Sequence, residues 1–83
     1  MLTKEWRARN RVIVTVLTAS RREAGLTQRQ LAKRLPPWLG WDHTTLGKVE
    51  AGRRRLDVVE LMEIAKALKL DSPVLFTRMV NWK

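Results

Sequence analysis

Helix-breaking residues interrupt this 83-residue chain at short intervals. Gly25, the pair Pro36-Pro37, Gly52 and Pro73 are the interruptions, and each has a capping side chain close by: Thr27, Asp42, Asp57 and Asp71 or Ser72. Proline cannot continue a helix, because it lacks the N–H and its ring clashes with the preceding turn. Glycine just past a helix end, and Ser, Thr or Asp just before a helix start, satisfy the orphan backbone groups. Punctuation of this kind describes an all-α chain of short helices joined by short turns.

The apolar spacing between the signals agrees. From Arg11 to Ala24, Ile13, Leu17 and Ala24, with Val16 and Ser20 beside them, recur at helical spacing. The run Val12–Val16 is β-branched and favours strand locally, but Arg21, Arg22, Glu23 and the stop at Gly25 extend the helical pattern. Thr3 or Asn10 is placed to cap this first helix, and residues 1–10 form a basic lead segment ahead of a domain over 11–83. The second helix follows Thr27, buries Leu31, Ala32 and Leu35, and ends by Leu35. Pro36–Trp41 is a connecting turn. The third helix, Asp42–Ala51, buries Leu46 and Val49. The fourth follows Asp57 with a stripe of Val58, Leu61, Ile64, Ala65 and Leu68. Glu60, Glu63 and Lys66 form its solvated face. The fifth is short, with Leu75, Phe76, Met79 and Val80 as its apolar positions.

The net charge of +9 is segregated. Residues 1–55 carry 13 Lys/Arg against 4 Asp/Glu, whereas residues 56–83 carry 4 of each. A polyanion is the simplest partner for such an asymmetry. Zero cysteines exclude disulfides and thiolate metal sites. One histidine, and no glycine-rich phosphate loop, leave neither an enzyme nor a cofactor or metal site to be expected. The longest apolar run, Val12 to Leu17, is too short for a membrane span, so a cytoplasmic protein is expected.

Two capped helices around a turn, followed by a basic run, form the layout of a helix-turn-helix. In that arrangement the N-terminal residues of the second helix meet base edges in the major groove of double-stranded DNA. On the third helix here, the face opposite Leu46 and Val49 presents His43, Thr44, Gly47 and Lys48. Lys48 and His43 can donate to guanine, and Thr44 can donate, accept or touch a thymine methyl. Thr45 at the edge, Gln28 at the start of the second helix, and Arg53, Arg54 and Arg55 after Gly52 suit the DNA backbone. Of the tryptophans in the turn, Trp41 is expected to pack inward. Trp38 suits packing and an external contact equally.

The strings GLTQRQLAKRL, KVEAGRRR and EIAKALKL resemble the lambda-repressor/Cro-type helix-turn-helix family, also called the XRE family. The resemblance covers roughly Ile13 to Phe76. It implies a five-helix lambda-repressor-like bundle in which helices 2 and 3 read DNA. Base contacts fall on His43, Thr44 and Lys48, a phosphate contact on Gln28, and a structural ion pair on Arg21 and Glu50. Two departures stand out. Pro36–Gly40 makes the turn four residues longer than the family norm. Gly47 replaces a small polar residue, which costs about 1 kcal/mol of helix propensity or else permits a close backbone approach.

The expected function is a sequence-specific transcription regulator, a repressor binding a near-palindromic operator as a homodimer. Phe76, Met79, Val80 and Trp82, in the net-neutral C-terminal part, are the candidate dimer interface. An antitoxin-type module with a protein partner, and a non-specific DNA-packaging protein, are the alternatives.

Overall fold

The computed structural model describes residues 2–81. Its helices are α1 (Lys4–Glu23), α2 (Gln28–Arg34), α3 (His43–Glu50), α4 (Val58–Ala67) and α5 (Ser72–Val80), with a single 3₁₀ turn at Pro37–Leu39. No strand occurs among the described residues.

α1 starts at Lys4, where the Thr3 hydroxyl accepts from the Trp6 N–H at 3.0 Å. Most of the basic lead segment is therefore helix. Asn10 is not a cap but a buried mid-helix residue. The β-branched run stays helical because burial outweighs propensity. Each such residue costs a few tenths of a kcal/mol, while burying an aliphatic side chain returns about 1.5–3 kcal/mol, and Val14, Val16 and Leu17 are all buried. Ala24 is the C-cap and is exposed, so it does not extend the buried stripe. At this end Gly25 has φ 74°, and Leu26 N–H reaches Arg21 O at 3.2 Å. That 6→1 bond closes the helix as a Schellman motif.

α2 and α4 both open with a reciprocal capping box, Thr27 with Gln30 and Asp57 with Glu60. The seven largest side chains almost wholly withdrawn from water are Val16, Leu17, Leu31, Leu46, Val49, Ile64 and Leu75. They form one core to which all five α-helices contribute. Leu39 and Trp41 pack against it from the long turn, whereas Trp38 is 67% exposed.

Three expectations about faces are corrected. Val58 is 72% exposed, because the first turn of α4 lies outside the core and the stripe begins at Leu61. Glu60 is buried rather than solvated. Met79 is 6% exposed and belongs to the core with Leu75, so it is not available for a dimer seam. Phe76 and Val80, at 60% and 64%, face outward. Trp82 lies outside the described residues. No helix among those residues is long and apolar enough to cross a membrane.

Candidate nucleic-acid interface

The interface is organised around a carboxylate. Glu50, in the last turn of α3, accepts from Arg21 Nε at 2.8 Å and from the second Arg21 terminal nitrogen at 3.0 Å. It also accepts from Gln28 Nε2 at 3.1 Å. The remaining Arg21 terminal nitrogen donates to Leu26 O at 2.7 Å. One side chain from each of α1, α2 and α3 thus meets at a single point. The Arg21 and Glu50 side chains are only 9% and 6% exposed. A buried bidentate pair of this kind contributes little net stability over an apolar equivalent, but it fixes orientation. What it fixes here is the rotation of α3 against α1 and α2.

α3 begins at Asp42, whose carboxylate accepts from Thr45 N–H at 3.0 Å. That bond is the main reason its pKa lies below the usual carboxylate value. The Thr45 hydroxyl also turns toward Asp42, at 3.3 Å. With Leu46 and Val49 buried, α3 presents Thr44, Lys48 and Ala51 to solvent at i, i+4 and i+7. His43 is half-buried, and its Nε2 lies 3.4 Å from an Arg29 terminal nitrogen. A Cβ added at Gly47 would stand 3.5 Å from Gln28 Oε1, an ordinary contact, so no close approach requires glycine there.

The three arginines after α3 separate into different roles. Arg53 is exposed. Arg55 is exposed and stacks over Trp6, with its guanidinium carbon 5.1 Å from the ring centroid. Arg54 is engaged inside the fold: it donates to both Glu60 oxygens, at 3.0 and 2.8 Å, and lies 4.8 Å over the Trp41 ring. That engagement removes Arg54 from the set of free cations beside α3. The sequence carried no signal for it, since Trp41, Arg54 and Glu60 sit on three different segments. Arg29 beside His43 is a further basic residue the sequence did not single out.

The helix-turn-helix domain family matches residues 13–78. A solved structure, the XRE-family like protein from Pseudomonas syringae pv. tomato str. DC3000, shares the fold with a TM-score of 0.75. It is 33% identical over 88% of this chain and 84% of that one. This chain belongs to the XRE-type helix-turn-helix family. No curated protein matches it. As an XRE-type domain it is a DNA-binding protein of a regulator family, and α2 and α3 are its helix-turn-helix pair. The long turn of this XRE-type domain is accommodated by the 3₁₀ turn at Pro37–Leu39 and by Gly40 at φ 72°.

Proposed function

We propose that the protein is a sequence-specific transcription regulator that represses from a near-palindromic operator, bound as a homodimer. The observation that carries the reading is the solvent-facing row of Thr44 and Lys48 on a helix whose rotation is held by Arg21, Gln28 and Glu50. A helix so anchored presents the same side chains to every duplex, which base reading requires. In this reading His43, Thr44 and Lys48 meet base edges. Gln28, Thr45, Arg53 and Arg55 hold the phosphates, and Arg54 holds the loop that carries its two neighbours. Membership of the XRE-type helix-turn-helix family supports regulation over packaging of DNA.

One recognition helix reads only a few base pairs, and two copies about 34 Å apart read enough for selective repression. Of the exposed apolar residues of α5, Val74, Phe76 and Val80, it is Phe76 and Val80 that are assigned to self-association. Regulation of this kind takes place in the cytoplasm and needs no cofactor or catalysis.

Selection of bound fragments from random DNA tests the reading. The expected outcome is an enriched inverted repeat, bound by two protomers in sedimentation. Lys48→Ala and Thr44→Ala should change the preferred sequence, each altering discrimination at its base pair by about 1–3 kcal/mol. An absence of enrichment would favour packaging of DNA. An enriched site without inverted symmetry, bound by one protomer, would leave specific binding and remove the dimer.

A further inference from the structure

α1 carries Lys4, Arg7, Arg9 and Arg11 in its first turns, ahead of the region that matches the family. Arg7, Arg11 and Thr15 are spaced four residues apart and share one face. That face borders the loop after α3. Between them lies an open cleft of about 570 Å³, whose lining includes Arg7, Asn10, Arg11, Glu50, Gly52 and Arg53. Arg7 and Arg11 also line a second, smaller hollow together with Lys4 and Ala8.

Two guanidiniums from α1 and one from the loop after α3 therefore line one hollow. Among the described residues, none of the three is in an ion pair. Glu50 does not neutralise them, because its charge is already offset by its ion pair with Arg21. Part of the carbonyl end of α3 is also capped. Gly52 N–H and Arg53 N–H bond back to Val49 O and Lys48 O at 3.0 and 2.9 Å. Like charges held together without a counter-charge raise the energy of the free protein, and an anion in their midst relieves it. The planar guanidinium fork matches a phosphate bidentately. The cleft also touches Ala51, the residue at the end of the solvent-facing row of α3.

We propose that this cleft seats a backbone phosphate of the bound duplex, so that the basic start of α1 works with Arg53 as a clamp beside the recognition helix. The inference rests on the DNA-binding reading above and adds Arg7 and Arg11 to it. A phosphate contact carries no sequence information, so the clamp strengthens binding to all sequences alike.

Salt titrations of the full chain on its selected duplex, and on a scrambled duplex, test the clamp. Arg7→Ala with Arg11→Ala should lower the log–log salt slope by about 0.9 for one lost phosphate. It should weaken both duplexes equally, on the order of tenfold. Lysine at both positions should restore most of the slope. Arg9 sits on the other side of α1, two residues from each of the pair, and Arg9→Ala, which removes one charge where the double variant removes two, is the control expected to change the slope by much less than half as much. A helical melt of each variant confirms folding, which alanine at exposed helix positions favours. A native slope in the double variant, or an equal loss from Arg9→Ala, overturns the clamp while leaving DNA binding in place. A salt-independent or absent interaction of the native chain overturns both.

Discussion

Arg54 grips the carboxylate of Glu60 through two hydrogen bonds of 3.0 and 2.8 Å, and its guanidinium carbon lies over Trp41, 4.8 Å from the ring centroid. Glu60 at the same time caps α4 by accepting from Asp57 N–H at 2.9 Å. The long turn, the loop after α3 and the start of α4 are joined through these three side chains. Arg54→Ala should therefore lower stability by about 1–3 kcal/mol, the range for stranding a largely buried hydrogen-bonded partner. Below the melting transition it should leave the salt slope of DNA binding near the native value. A slope reduced by about one would mean that Arg54 reaches a phosphate after all.

The same pair makes stability depend on pH. The hydrogen bonds from Arg54 are the main cause that holds the Glu60 pKa below the ordinary glutamate value, which is about 4.3. A lowered folded-state pKa means that the unfolded chain binds more protons between the two values, so stability there rises with pH. The contribution is complete above the unfolded value and is lost as pH falls through the folded one. Thermal melts between pH 6 and pH 3 should show a steep loss at the acid end for the native chain. For Glu60→Gln the loss should be shallower, from a lower starting stability. Parallel curves would assign the acid sensitivity to other carboxylates.

Breaking the junction at Glu50 should be the most damaging polar change. Glu50→Ala leaves the Arg21 guanidinium buried without its carboxylate, which costs about 3–5 kcal/mol. It also frees α3 to rotate. At a temperature where the variant is still folded, specific DNA binding should fall much more than non-specific binding. Equal losses on both would show that the junction does not orient α3.

Gly47→Ala should stabilise the fold by up to about 1 kcal/mol, since it adds helix propensity and the new Cβ makes only an ordinary contact with Gln28. Gly47 neighbours Lys48, so the added methyl should alter DNA binding while the melting temperature rises. A lower melting temperature would show that Gln28 cannot yield.

Lys69 holds φ 59° at the end of α4, in the position where Gly25 and Gly52 close α1 and α3. The left-handed region costs a non-glycine residue roughly 1–2 kcal/mol. Lys69→Gly should raise stability by up to about 1 kcal/mol once the extra freedom of the unfolded chain is counted. Chemical denaturation midpoints of the two proteins give the comparison.

The starts of α2, α3 and α4 and the ends of α1 and α3 were legible because they rest on local chemistry. A side chain at Thr27, Asp42 or Asp57 bonds a backbone N–H three residues away, and Gly25 and Gly52 adopt a conformation other residues avoid. Such interactions are decided within one turn of chain. The solvent-facing row of α3 was legible for a similar reason, since Leu46 and Val49 leave Thr44 and Lys48 on the opposite side. The roles of the arginines were not legible. Arg53, Arg54 and Arg55 are chemically identical and adjacent, and only the folded neighbourhood gives Arg54 to Glu60 and Trp41, Arg55 to Trp6, and Arg53 to the cleft with Arg7 and Arg11. The choice of Met79 over Phe76 for the core of α5 was hidden likewise. Both suit an apolar position, and the rotation of the helix against α1 and α4 decides between them. Sequence spacing determines which residues share a face, because the helix repeat is fixed. Which neighbour that face meets is set by packing between segments far apart in the chain, which is why it emerges only in the tertiary structure.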